Sequence, residues 1–313
     1  MVMRVLFTDL IFEDRERIRL DGCTFKLHGQ TKSQQELIEL SRDVDVVCMR
    51  DQFVKVTREI LDKLPRLKMI ATRSTGYDHI DLKAASEKGI MVCNVPDYGT
   101  HVVAEHAFGL LLAVARNIVK GANRYSQKRI FSDKGLVGVE LSGKTLGILG
   151  TGRIGAHAAR IAQGFGMQTI AYDIVKNLEL EKACSTRYLS LEKVLAEADF
   201  VTIHLPLNGR TKGLICERTL QFVKEGSILV NTARGAIVVI EDLIKALRRG
   251  RLAGAALDVL EDERERYHDF AGLNVIVTPH LGWYTKEVIS RIMDITLDNI
   301  RAFMEGAPKN RVN

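Results

Sequence analysis

Three short stretches late in this 313-residue chain carry side chains suited to one kind of chemistry. They are Asn231-Thr232-Ala233-Arg234-Gly235, Asp258-Val259-Leu260-Glu261-Asp262-Glu263 and Thr278-Pro279-His280-Leu281-Gly282. Arginine is a permanent, planar cation whose fork binds both oxygens of a carboxylate at once. Histidine passes a proton near neutrality, and an acid beside it favours the imidazolium and raises its pKa. Arg234, Glu263 and His280 together could hold an anionic carbonyl compound and exchange a proton as charge develops on its oxygen. Each alone has a duller explanation: a surface cation, a solvated acid, a structural Pro-His pair. All three follow strand-like runs, and residues just past the carboxyl ends of strands line the ligand crevice of an open α/β sheet.

A fourth stretch, Gly150-Thr151-Gly152-Arg153-Ile154-Gly155, matches the GxGxxG turn that binds a dinucleotide. Such a turn alone is weak evidence. Here an apolar strand, Thr145–Leu149, precedes it and a helical pattern, Ile154–Phe165, follows. The first glycine makes the tight turn, the second admits a pyrophosphate, and the third lets helix pack on strand. The helix N-terminus then offers free N–H groups to the phosphates. Asp173 closes the next strand, Gln168–Tyr172, at the expected distance. A carboxylate there accepts hydrogen bonds from ribose hydroxyls and repels a 2′-phosphate, which favours NAD over NADP.

These residues need a scaffold of parallel strands, and the chain reads as two alternating strand–helix blocks. The first predicts strands Arg4–Thr8, Val44–Met49, Leu67–Thr72 and Ile90–Val95, with helices Ser33–Ser41, Thr57–Leu64 and Asp81–Lys88. The second predicts strands Thr145–Leu149, Gln168–Tyr172, Phe200–His204, Ser227–Asn231, Gly254–Val259 and Asn274–Thr278. Several are near-continuous apolar runs, as for strands covered on both faces. Between the blocks, His101–Tyr125 carries apolar residues at helical spacing with Thr100 as candidate N-cap. Lys286–Glu305 predicts a closing amphipathic helix before Gly306 and Pro308. The fold class expected is α/β, with two doubly wound parallel sheets.

Composition narrows the setting. The length exceeds one typical core, so two domains are expected. No apolar run approaches the roughly 20 residues that span a bilayer, and the N-terminus shows no cleavage signal, which predicts a cytoplasmic protein without membrane contact. The five cysteines are odd in number and lack ligand spacing, so buried thiols are expected and no metal site. Basic residues outnumber acids to give a net charge of +6 but are dispersed among them, which argues against a nucleic-acid stripe.

Beyond the turn and the three strand-end stretches, further motifs are ordered along the chain: Arg73-Ser74-Thr75-Gly76-Tyr77-Asp78-His79-Ile80-Asp81, Asn94-Val95-Pro96-Asp97-Tyr98-Gly99-Thr100, Ala104-Glu105-His106, His204-Leu205-Pro206-Leu207 and Ala256-Leu257-Asp258-Val259. With these the chain resembles the D-isomer-specific 2-hydroxyacid dehydrogenases over nearly its whole length. The resemblance implies a flavodoxin-like substrate domain, residues 1–98 and 285–313, and a Rossmann NAD-binding domain, residues 99–284, with the active site in the cleft between. It implies that Arg234 holds the substrate carboxylate and 2-oxo oxygen, that His280 exchanges the proton and that Glu263 hydrogen-bonds His280. It also implies substrate contacts from the backbone of Thr75 and Gly76, and cofactor contacts from Gly150–Gly155, Asp173, His204, Pro206, Thr232, Ala233 and Asp258, the last against the nicotinamide carboxamide. A homodimer joined through NAD domains is implied as well.

The substrate is less sharply marked. His280-Leu281-Gly282-Trp283-Tyr284-Thr285 and Tyr98 resemble the D-lactate dehydrogenase subgroup, and bulky aromatics at Tyr98, Trp283 and Tyr284 would suit a side chain as short as pyruvate's methyl. The segment from Glu263 to His280 is shorter than in many of that subgroup. Glyoxylate or hydroxypyruvate reduction and 3-phosphoglycerate oxidation are the alternatives, the last weakened by the end of the chain at Asn313. From another class, an NAD-sensing binding protein like the C-terminal-binding corepressors shares the same residues.

Overall fold

The structure is a computed structural model that describes residues 2–10, 17–50, 54–261 and 270–313. It divides into two compact units, Met1–Tyr98 with Thr285–Asn313, and Gly99–Tyr284.

The first unit is built on five parallel strands: β1 (Met3–Phe7), β2 (Cys23–Leu27), β3 (Val46–Met49), β4 (Met69–Thr72) and β5 (Met91–Cys93), in the order β2-β1-β3-β4-β5. This is the flavodoxin-like order of doubly wound sheets. Strands β3 and β4 are buried at every position, because helices cover both sheet faces. Helices α1 (Gln34–Ser41), α2 (Arg58–Asp62) and α3 (Leu82–Glu87) put Leu37, Ile60 and Ala84 against Leu6, Val47 and Ile70. Ser33 and Asp81 cap α1 and α3 by accepting from the amides of Glu36 and Ala84. The closing helix, Lys286–Met304, lays Met293, Leu297 and Ile300 against Val5, Phe7 and Met69 on the other face. Patterning does not mark β2. It lies at the sheet edge with Thr24, Lys26 and Leu27 exposed, so no apolar run distinguishes it.

The second unit opens with α4 (Thr100–Ala115) and α5 (Ile118–Lys128). One helix was expected over His101–Tyr125, but the two segments are bent by 64°. Asn117 sits between them in the left-handed region at φ 52°, a conformation its short polar side chain tolerates better than most. Its amide nitrogen donates to the carbonyl of Val137 at 3.0 Å, which ties the bend to the segment beyond α5. At the start of α4 the cap is Gly99, with Thr100 already helical. Helix α4 buries Leu110, Leu111 and Val114 in the sheet core, whereas α5 buries no residue. No single described helix is long and apolar enough to cross a membrane.

Then follow β6 (Thr145–Leu149), α6 (Arg153–Gly164), β7 (Gln168–Tyr172), α7 (Leu178–Cys184), β8 (Arg187–Tyr188), α8 (Leu191–Glu197), β9 (Phe200–Ile203), α9 (Glu217–Leu220), β10 (Ser227–Asn231), α10 (Ile240–Arg248), β11 (Leu252–Leu257) and β12 (Val275–Val277). The closing helix of the first unit is α11. The seven strands are parallel in the order β12-β11-β10-β9-β6-β7-β8. From β6 the sheet grows outward in both directions, which is the Rossmann order with its switch point between β6 and β9. One face packs Ile148, Phe200 and Val230 against α4 and α6, and the other packs Leu149, Ile203 and Leu257 against α8 and α10. Cys48, Cys93 and Cys184 are buried, while Cys23 and Cys216 are half-buried, and all five are free thiols.

Candidate active site

The Gly150 turn leaves β6 at the switch point. Gly150 has φ +97°, and a Cβ there would lie 2.8 Å from the main chain of His204, the residue just past β9. A Cβ on Gly155 would lie 1.9 Å from the carbonyl oxygen of Gly150, so only glycine lets α6 start this close to β6. Gly152 faces open space and caps α6 without a side-chain bond, with Arg153 and Ile154 forming the first helical turn. The N-terminal amides of α6 are thereby presented to a diphosphate.

Asp173, just past β7, accepts from the amide of Thr151 at 2.6 Å and from its hydroxyl at 3.1 Å. Tyr188 donates to the Thr151 hydroxyl at 2.9 Å and itself accepts from the amide of Asn177 at 2.9 Å. Sequence reasoning missed this brace. Tyr188 lies in a two-residue strand, too short for any periodic signal.

Two buried polar atoms, as well as the glycines, suit this rim to a dinucleotide. His204 bonds Thr202 through Nε2 at 3.0 Å, while its buried Nδ1 has no partner among the described residues. Burial lowers its pKa to about 4, so the ring is neutral at physiological pH. Thr232 Oγ1, at the end of β10, is likewise buried without a described partner. Orphaned polar atoms at strand ends, beside a turn with room above Gly152, fit a polar ligand such as NAD. Pro206, two residues beyond His204, is exposed, and Ala233 follows Thr232 half-buried.

Strands β10, β11 and β12 are neighbours and parallel, so their carboxyl ends share one rim with the Gly150 turn. Arg234 lies past β10, Asp258 past β11 and His280 past β12. Arg234 is half-buried in extended backbone, its carbonyl accepting from the Asn231 amide group at 3.0 Å. Gly235 follows because a Cβ there would lie 2.1 Å from the main chain of Leu260. His280 is half-buried with φ 56°, and its N–H bonds the carbonyls of Asp258 and Thr278, both at 2.9 Å. Glu263 lies outside the described residues. Trp283 is buried, Tyr284 is exposed, and their rings meet edge to face at 5.0 Å.

Asp258 is almost wholly buried. Its Oδ1 accepts from the Thr278 hydroxyl at 2.6 Å, the Leu281 amide at 2.8 Å and His106 Nε2 at 3.2 Å, and its Oδ2 accepts from the Gly282 amide at 2.8 Å. Burial acts to raise its pKa, but the bonds from His106, Thr278, Gly282 and Leu281 outweigh it and hold the carboxyl below its usual value. Four protein donors nearly fill a carboxylate's acceptor sites, which leaves less room for the expected nicotinamide contact.

In the first unit, Thr75 donates its hydroxyl to the carbonyl of Val95 at 3.0 Å. The carbonyls of Thr75 and Gly76 accept from Asn94 at 2.8 Å and Ser74 at 2.6 Å. The main chain at 75–76 is held rigidly through its oxygens. Tyr98 is half-buried, and its carbonyl accepts from Arg291 on α11.

Residues 108–282 match the D-isomer specific 2-hydroxyacid dehydrogenase NAD binding domain. The chain belongs to that family. It is 40% identical over 289 residues to a glyoxylate reductase of Pyrococcus furiosus, covering 90% of this chain and 85% of the relative. It is 36% identical over 303 residues to a hydroxypyruvate reductase of Blautia hydrogenotrophica, covering 94% and 92%. Among solved structures it is similar to D-lactate dehydrogenase from Aquifex aeolicus complexed with NAD and lactic acid, with TM-score 0.87, 33% identity and coverage of 97% and 96%. The protein is therefore an NAD-dependent dehydrogenase of 2-hydroxy acids, and NAD is its cofactor.

Proposed function

We propose that this dehydrogenase reduces a small 2-oxo acid, glyoxylate or hydroxypyruvate, to the corresponding 2-hydroxy acid, of D configuration where C2 becomes a stereocentre. The observation that carries the reading is the common rim of β10, β11 and β12, from which Arg234 and His280 emerge beside the dinucleotide turn. The substrate preference draws on the 40% identity to a glyoxylate reductase, and displaces the pyruvate favoured by the aromatic residues alone.

In this reading Arg234 holds the substrate carboxylate and the 2-oxo oxygen with its two-pronged fork. The family resemblance adds substrate contacts from the main chain at Thr75 and Gly76 and from Tyr98, Trp283 and Tyr284. NAD, when bound in its reduced form, supplies the hydride. Negative charge grows on the carbonyl oxygen, and His280 donates the proton that neutralises it. Glu263 supports the imidazolium. Gly150–Gly155, with Thr151, Arg153 and Ile154 at the helix start, would hold the cofactor's diphosphate, and Asp173 would hold its ribose. His204, Pro206, Thr232 and Ala233 would line the nicotinamide end, with Asp258 beside them, its carboxylate largely taken up by protein donors. The reaction consumes one 2-oxo acid, one NADH and one proton, and yields one 2-hydroxy acid and NAD.

The protein acts as a homodimer in the cytoplasm. Supporting this are the free thiols and the apolar arm around α5, where Phe131 is 95% and Val137 93% exposed.

The test is NADH and NADPH oxidation against glyoxylate, hydroxypyruvate, phosphohydroxypyruvate, pyruvate and larger 2-oxo acids. The highest kcat/KM is expected for glyoxylate or hydroxypyruvate with NADH. A clear preference for pyruvate would restore the lactate reading, and NADH binding without turnover of any acid would favour a sensor.

A further inference from the structure

We propose that His106 is a positioning residue for His280, acting through the carboxylate of Asp258. Three successive amides of the His280 turn converge on Asp258: that of His280 on its carbonyl at 2.9 Å, and those of Leu281 and Gly282 on its carboxylate at 2.8 Å each. The turn is thus shaped around a single residue, with two of the three amides on its side chain. That side chain is anionic and accepts only, so His106 Nε2 carries the proton and donates to Oδ1 at 3.2 Å, sharing it with the Thr278 hydroxyl at 3.3 Å.

His106 differs from the other donors in where it is anchored. Thr278, Leu281 and Gly282 belong to the turn itself and move with it. His106 stands on α4, whose Leu110, Leu111 and Val114 are buried in the sheet core with Val230 and Ala256. It ties the turn to a rigid helix. The fit is close: a Cβ at Gly282 would lie 2.9 Å from Asp258 Oδ2 and 3.5 Å from the His106 ring, so the turn accepts no side chain there. A proton donor displaced by about 1 Å can lose on the order of a hundredfold in rate, so fixing this turn bears directly on catalysis.

The proposal rests on the proton-carrier reading of His280 for its kinetic consequence only. Three variants of the full chain test it. His106→Gln keeps an N–H donor close to the Nε2 position, His106→Asn keeps polarity but is too short, and His106→Leu removes the donor. Amide hydrogen exchange at Leu281 and Gly282 is read beside kcat, KM and NADH affinity.

Expected for Asn and Leu are exchange at both amides accelerated at least about tenfold and a kcat fall of about 10- to 100-fold, with NADH affinity within about threefold. The Gln variant restores both readouts to within about threefold. If Leu fails to fold, Asn against Gln carries the comparison. Unchanged exchange in Asn, or equal kcat in Gln and Asn, overturns the proposal. Should the wild type turn over no 2-oxo acid, the functional reading fails, and the exchange comparison still decides for or against His106.

Discussion

Asp173 reaches back over the dinucleotide turn and takes two hydrogen bonds from Thr151, at 2.6 Å from its amide and 3.1 Å from its hydroxyl. One oxygen of the carboxylate therefore shapes the turn, and the proposed ribose contact would use the other, which also accepts from the Val175 amide at 3.1 Å. Asp173→Ala is expected to lower kcat/KM for NADH at least about tenfold and to narrow the preference over NADPH, since the repulsion of a 2′-phosphate goes with the charge. Initial rates with both cofactors check this. An unchanged NADH-to-NADPH ratio contradicts a ribose role.

Two glycines of the same turn should respond in opposite ways. Gly155→Ala forces a Cβ to within 1.9 Å of the Gly150 carbonyl oxygen and is expected to destabilise the unit by at least about 2 kcal/mol. Gly152→Ala meets nothing within 4 Å, at an ordinary φ of −61°, and should leave urea unfolding within about 0.5 kcal/mol of wild type. Its methyl instead obstructs the approach of the diphosphate, so NADH affinity should weaken about tenfold or more. Fluorescence titration with NADH separates the two.

Arg234→Ala and His280→Ala are each expected to cost at least about two orders of magnitude in kcat/KM, the scale for a lost oxyanion cation or general acid. Arg234→Lys keeps the charge but loses the fork, and should fall between, chiefly through substrate KM. Turnover close to wild type in either Ala variant removes that residue from the mechanism.

His204 makes stability depend on pH. Its folded pKa, about 4, lies below the value near 6.5 of an exposed histidine, so between those two the unfolded chain binds more protons. Stability is full above about pH 6.5 and declines as pH falls toward 4, by roughly 3 kcal/mol in total from this ring. His157 is also shifted down, by burial and by His101, and adds in the same direction. Urea unfolding from pH 7 to 4.5 should show a shallower decline in His204→Gln than in wild type. Parallel curves would mean that His204 is not held neutral.

Phe131 and Val137 are too exposed to contribute to folding within one chain. A double substitution, Phe131→Glu with Val137→Glu, is expected to halve the mass seen by light scattering while the unfolding midpoint of the separated chain stays sharp. A wild-type monomer would refute the homodimer.

The second block was the more legible in sequence. β6, β7 and β10 have the bounds their sequences predict, because apolar, buried centres (Leu146–Leu149, Ile170–Ala171 and Ile228–Val230) are covered on both faces while polar residues stand mainly toward the strand ends. β2 left no trace, since an edge strand with Thr24 and Lys26 exposed has little to distinguish it from a loop. The Asn117 break was hidden for a different reason: Ile118 and Val119 continue the apolar spacing, while the bend is fixed by a distant contact to Val137. In the site, Arg234, His280 and the glycines announce themselves by type and spacing. His106 stands in the Ala104-Glu105-His106 motif, but neither its partner Asp258 nor Tyr188's partner Thr151 shows in sequence, since both lie far along the chain.

His280 stands in left-handed backbone at φ 56°, where a residue with a Cβ costs on the order of 1 kcal/mol relative to glycine. The strand–turn shape that delivers the imidazole is thus one that heat resistance alone would not select. Variants chosen only for thermal endurance should drift toward glycine or asparagine at this position, gaining robustness and losing the reaction. Stabilising this dehydrogenase by consensus or library methods therefore requires position 280 to be kept fixed.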